Sequence, residues 1–157
     1  MFKLSEEGLA GVKKELARFE AKESAIIPSL YIAQKENNGF ITPEMITYLS
    51  QVMEIPESRI NEVFKFYTMF NQKQVGKYHV QVCTNISCAA EGGRELANYI
   101  CKELGVKYEE VTEDGRFTVS KVQCLGSCGT APMMQVNEKY HENLTPETAM
   151  NLLRGMK

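Results

Sequence analysis

The chain has 157 residues, 43% apolar and 24% charged, with a formal net charge of −2. That length holds one domain or two small ones, and the composition is that of an ordinary globular protein. The acidic balance leaves no basic footprint for nucleic acid. Taken in order, the N-terminus Met1–Glu7 turns acidic at once and lacks the apolar core of a secretory signal.

Residues 5 to 19 carry Leu9, Val12, Leu16 and Phe19 on one helical face. Ser5 is the N-cap there, and Glu6 and Glu7 sit in the first turn. A second helix is expected over 24 to 37, capped by Ser24, with Ile27, Leu30 and Tyr31 inward and Asn38-Gly39 as its stop. The apolar stretch Ala25 to Ala33 inside it is broken by Pro28 and is too short to span a bilayer. Thr42-Pro43-Glu44 starts a third helix with Met45, Ile46 and Leu49 on one face. Pro56-Glu57 opens a fourth, where Ile60, Val63, Phe64 and Tyr67 repeat at helical spacing. Phe66 and Phe70 fall outside that stripe, which leaves them either to a partner or to packing on the C-terminal domain. Residues 1–72 therefore read as a helical bundle.

Polar Gln72–Lys77 marks a boundary, after which the period changes. Tyr78, Val80 and Val82 alternate with His79 and Gln81, a half-buried strand ending at Cys83. A helix after Cys88 presents Ala97, Ile100, Cys101 and Leu104. Tyr108 to Thr112 and Phe117 to Val122 read as two strands joined at Asp114-Gly115, a hairpin signal. Pro132 to Val136 is a further strand, with Met133 and Met134 as core. Thr145-Pro146-Glu147 starts a last helix with Ala149, Leu152 and Leu153 inward. The fold class is α+β: a helical bundle over 1–72, then an α/β domain over 76–157.

Five cysteines are an odd number, so a complete disulfide framework cannot use them all. A reduced, cytosolic protein with a metal site is the expectation. Four of the five come as close pairs, Cys83-x4-Cys88 and Cys124-x3-Cys128, each at a strand end. Four thiolates delivered as two pairs suit a 2Fe–2S cluster, and Gly126 and Gly129 offer positive φ, close backbone approach and amides aimed at sulfur. A four-thiolate zinc site remains open on spacing alone, although two intervening residues are commoner there. The plant-type ferredoxin spacing is not met, and His79 and His141 do not pair beside the cysteines as a Rieske centre requires. Cys101, on an apolar helix face, reads as a small buried hydrophobe. His79 lies four residues before Cys83 on one strand face, a spacing that also suits a Cys–His nucleophile pair. Cys83 already belongs to the four-thiol set. No G-x-G-x-x-G after a strand and no Walker A sequence occurs, so no nucleotide or flavin site is legible.

Phe66-Tyr67-Thr68-Met69-Phe70, the two cysteine pairs, and the run Gly129-Thr130-Ala131-Pro132 after Cys128 together resemble the E-subunit family of NADH-quinone oxidoreductase (complex I), the thioredoxin-like 2Fe–2S ferredoxins. The likeness covers nearly the whole chain. It implies a thioredoxin-like C-terminal domain holding one 2Fe–2S cluster on Cys83, Cys88, Cys124 and Cys128, and it makes zinc remote. It also implies an FMN- and NADH-binding flavoprotein subunit as partner, further peripheral-arm subunits, and a place on the cytoplasmic side of the membrane without insertion. The isolated chain is then an electron carrier with no NADH activity of its own. The same module is similar to diaphorase subunits of NAD-dependent hydrogenases and formate dehydrogenases. A different class, a redox-sensing regulator, is suggested by helices 42 to 52 and 57 to 67 as a helix-turn-helix. The acidic balance and the few Lys and Arg on the second of these oppose it.

Overall fold

Caps and apolar period coincide at the first helix, and the chain folds there as read. α1 spans Glu6–Arg18, and the Ser5 side chain accepts a hydrogen bond from the Gly8 amide. The computed structural model describes residues 2–156, and the chain divides into two compact units, one ending at Gln74 and the other beginning at Val75.

In the first unit a short 3-10 turn, Lys22–Ala25, precedes α2, Ile26–Glu36. Ala25 and not Ser24 is the N-cap, with no side-chain hydrogen bond. Pro28 thus falls in the first turn, where its missing N–H has no intrahelical partner to lose. Ile26, Leu30 and Ala33 form the buried stripe, so the helix is rotated from the expected face. Tyr31 is 46% exposed and packs edge-on against Phe70. Gly39, at φ 89°, closes the helix end by donating to Gln34 O at 2.8 Å. α3, Pro43–Met53, buries Met45, Ile46, Leu49 and Met53. α4, Glu57–Phe66, buries Ile60 and Phe64. The helix stops one residue early, so Tyr67 caps it and turns outward, and Phe70 swings into the core at 3% exposure. Of the two aromatics left available by the sequence, Phe66 is 78% exposed and Phe70 is not available.

The second unit is a four-stranded mixed sheet, order β2-β1-β3-β4, with helices on it. The strands are β1 Tyr78–Cys83, β2 Phe117–Val122, β3 Met134–Val136 and β4 Lys139–His141. β1 pairs parallel with β2, Tyr78 opposite Phe117 and Cys83 opposite Val122, and antiparallel with β3. Parallel strands need a long crossover, supplied by α5, Ile86–Ala90, and α6, Gly93–Leu104. α7, Pro146–Gly155, packs on α6 and buries Ala149, Met150 and Leu153, with Leu152 half-buried. Val80, Val82, Val119, Leu96, Ala97, Ile100 and Leu153 lie in one apolar core.

The expected strand over Tyr108–Thr112 is a correction. Glu109 sits at φ 64°, which breaks an extended run, and only Val111 bridges, to Thr118. The Asp114-Gly115 turn does form, with Gly115 at φ 72° and its amide donating to Thr112 O at 2.8 Å. β2 takes its ladder from β1 instead. β4 was not expected; it follows a two-residue turn at Asn137, φ 52°. Among the described residues no helix is long and apolar enough to cross a membrane.

Candidate functional site

Parallel pairing decides where the thiols go. β1 and β2 run in one direction and in register, so both C-terminal ends lie at the same end of the sheet. Cys83 is the last residue of β1, and Val122, opposite it, is two residues before Cys124. The Cys83 thiol faces Gln123 O at 4.0 Å, Thr84 N donates to Val122 O at 3.1 Å, and Cys83 N donates to Met133 O at 3.4 Å. β3, running the other way, starts at this end, so the chain leaving Cys128 returns beside Cys83.

Each pair is held differently. Asn85 caps α5, its side chain accepting from Ile86 N at 2.8 Å, and the short helix carries Cys88 inward. Cys83 and Cys88 are each 2% exposed and share a small apolar cluster with Met133, against which Leu125 and Ala131 pack. Cys124 and Cys128 are exposed, on a segment whose one regular piece is the turn Cys128–Thr130. Gly126, at φ 74°, turns its amide back to donate to Cys124 Sγ at 3.3 Å, as expected of an amide aimed at sulfur. Gly129 has no positive φ, and a Cβ on Gly126 or Gly129 would meet no protein atom within 4 Å.

The close approach lies elsewhere. Gly93, the first residue of α6, faces the backbone of the first pair: a Cβ there would stand 2.7 Å from both Cys83 O and Cys88 O. These are backbone atoms of two site residues and cannot yield without moving them. Gly93→Ala is expected to destabilise the chain by about 1–3 kcal/mol, as overpacking does, and to lower the metal content of the purified protein. Urea unfolding and metal analysis check this; a variant as stable and as metal-rich as its parent would refute the constraint. The Gly92-Gly93 dipeptide was the available signal, and its role emerges only once α6 is seen to start against the Cys83–Cys88 turn.

The four thiols act on one another. Burial, a hydrogen bond with Cys83, and charge at Cys83, Cys128 and Cys124 push the Cys88 thiol up to about 11. Four thiolates so placed repel, and cationic metal centres among them reverse the penalty by deprotonating the thiols outright. A four-thiolate zinc ion takes its ligands on one metal, and a 2Fe–2S cluster spreads four Cys ligands over two irons. The donor set here, one buried and one exposed pair of thiols that act on one another, has the soft anionic chemistry such a centre requires. All five cysteines are free thiols.

Cys101 is not with them. It is 8% exposed within the sheet–helix core, and burial raises its pKa. His79 is not a base for Cys83 either: its Nε2 is 2.7 Å from Ser120 Oγ, and burial pushes its pKa down to about 4.

Comparison with known proteins bears on this site. Residues 12–157 match the family model of the thioredoxin-like 2Fe-2S ferredoxins. The E subunit of NADH-quinone oxidoreductase from Rickettsia felis is 45% identical over 132 residues, 84% of this chain and 79% of that protein. Its counterpart from Rickettsia conorii, of the same name, is 46% identical over 126 residues, 80% of this chain and 75% of that protein. A mitochondrial NADH dehydrogenase (ubiquinone) flavoprotein 2 from Dictyostelium discoideum is 37% identical over 158 residues, 99% of this chain and 64% of that protein. In structure, an NAD+-reducing NiFe-hydrogenase in the air-oxidised state matches with a TM-score of 0.67 at 21% identity, covering 80% of this chain and 22% of that one.

Proposed function

The chain belongs to the thioredoxin-like 2Fe-2S ferredoxin family, and on that premise we infer that it is the 2Fe–2S electron-transfer subunit of the NADH-oxidising module of an NADH-quinone oxidoreductase, respiratory complex I. The observation that carries the reading is the 45% identity to the Rickettsia felis E subunit over 84% of the chain. The diaphorase alternative is supported by a structural likeness at 21% identity, which speaks to the fold alone.

Cys83, Cys88, Cys124 and Cys128 are the ligands in this reading. When bound, the cluster supplies one-electron transfer, its dianionic oxidised form with four thiolates becoming trianionic on reduction. The chain's own contribution is positional. β1 and α5 hold one thiol pair out of water, and the Cys124–Cys128 segment holds the other at the surface. The Gly126 amide donates toward Cys124 Sγ and favours added negative charge there. The reading places the electron donor, an FMN- and NADH-binding flavoprotein subunit, on the exposed cysteine side, and the assembly in the peripheral arm on the cytoplasmic face of its membrane.

Iron and acid-labile sulfide analysis of anaerobically purified full-length chain tests the function. About two irons and two sulfides per chain, with visible absorbance, are expected of a 2Fe–2S centre. Zinc with no sulfide and no colour would overturn the assignment.

A further inference from the structure

The segment bearing Cys124 and Cys128 has little apolar packing to order it. Both cysteines are exposed, and Leu125 and Ala131 are only half-buried. A segment with few buried apolar contacts takes its order from hydrogen bonds, and beside those internal to it a group of them runs to residues 140–144. Tyr140 donates its hydroxyl to Leu125 O at 2.6 Å. Asn143 N donates to Thr130 O at 2.8 Å, and Leu144 N to Pro132 O at 2.9 Å. Glu142 stands between these contacts. Its Oε1 is 2.6 Å from Thr130 Oγ1 and accepts as well from the Ser127 hydroxyl, and the two hydroxyls lie 2.7 Å apart. Ser127 immediately precedes Cys128, and Thr130 follows it by two. One carboxylate therefore spans the turn that presents Cys128. Tyr140 lies in β4 and Glu142 follows its last residue, His141, so the two reach the segment from neighbouring positions.

We propose that Glu142 is a positioning residue for the second cysteine pair: its carboxylate clamps Ser127 and Thr130, holds the Cys124–Cys128 segment in the shape that receives the cluster, and brings a fixed negative charge to that side. The proposal rests on the ligand reading above. Charge-assisted hydrogen bonds are stronger than neutral ones. The Ser127 and then the Thr130 hydroxyl hold the Glu142 carboxyl below the usual carboxylate range, so it is an anion at neutral pH. An anion beside an anionic centre opposes the arrival of an electron.

The test uses the full-length chain carrying its cluster, prepared anaerobically, with Glu142→Ala, Glu142→Gln and Tyr140→Phe variants. Three quantities are measured: the rate of bleaching in excess chelator, the midpoint potential in a redox titration, and the urea midpoint of the metal-free protein. Glu142→Ala loses two bonds, of which the Ser127 and Thr130 hydroxyls can recover one between themselves, so it is expected to bleach at least about fivefold faster, the size of one lost hydrogen bond, with the metal-free urea midpoint unchanged. Tyr140→Phe is expected to bleach faster as well, with the potential unchanged. Glu142→Gln keeps an acceptor oxygen and loses the charge, so its potential is expected to rise, which a purely structural role would not produce. Parental bleaching in Glu142→Ala overturns the clamp, and so does a fall in the metal-free urea midpoint that accounts for the faster bleaching. A parental potential in Glu142→Gln overturns the charge effect. A parent chain that holds no iron or sulfide refutes the function itself, a result distinct from either.

Discussion

Replacing any one of Cys83, Cys88, Cys124 or Cys128 by Ala is expected to abolish the visible spectrum of the cluster or leave it too labile to purify, while Cys101→Ala keeps it. The two pairs should differ once the metal is gone. Cys83 and Cys88 are packed with Met133, so their truncation leaves a small cavity and costs stability in the metal-free chain as well. Cys124 and Cys128 are exposed, and removing either thiol should leave the metal-free urea midpoint where it was. Cys101 sits on α6 in the apolar core, so its replacement should cost about 1 kcal/mol, a typical value for a point mutant, with the absorbance per chain intact. Metal content, visible absorbance and urea unfolding of the five variants check the whole pattern. A bleached Cys101→Ala protein, or a fully coloured Cys124→Ala protein, would show that the ligand set is wrong.

How far the sequence reached depended on whether a local signal coincided with a tertiary one. α1, α3 and α7 are bounded by Ser5, Thr42-Pro43 and Thr145-Pro146, whose cap chemistry is local, and they start where those residues place them. β1 was legible from its period and β2 from the turn before it, and Cys83 closes β1 as read, whereas Cys124 falls two residues past β2 and Cys88 lies inside α5, where the expected helix began only after it. The convergence of the two cysteine pairs was not legible, because the sequence does not state that β1 and β2 pair in parallel. The strand over Tyr108–Thr112 failed for a local reason: Glu109, at φ 64°, breaks the extended run, and the segment keeps only the Val111–Thr118 bridge on the edge of β2 that β1 leaves open. Tyr31 went to an unexpected side because helical periodicity fixes a face only to within a residue or so, and Phe70 because α4 ends at Phe66 and the chain turns there. Glu142 carried no signal at all. Its relevance comes from its place just after β4, a three-residue strand, and from the bonds it makes across to Ser127 and Thr130.

The remaining large effect concerns activity. Isolated full-length chain with its cluster is expected to reduce no more ferricyanide or quinone from NADH than the buffer control does. A hydride carries two electrons together, whereas the centre proposed for the four thiolates takes one at a time. Separating the pair is flavin chemistry, and no nucleotide fingerprint follows any strand of this chain: β1 leads into Thr84-Asn85 and the Cys88 helix, and β2 into the Cys124 segment. The buried polar residues offer no substitute. His79 is bonded to Ser120 and is held unprotonated at neutral pH by its burial. In the proposed reading the hydride acceptor belongs to a second subunit, and electrons from it enter where the thiols reach the surface, at Cys124 and Cys128. Co-expressed with an FMN-binding, NADH-oxidising partner, the chain should co-purify as a stable complex, and the pair should couple NADH oxidation to artificial acceptors. The decisive measurement is NADH:ferricyanide activity of the isolated chain against that of the co-purified pair at equal cluster content. Robust turnover by the isolated chain, with no flavin detectable in the sample, would sink the electron-carrier reading.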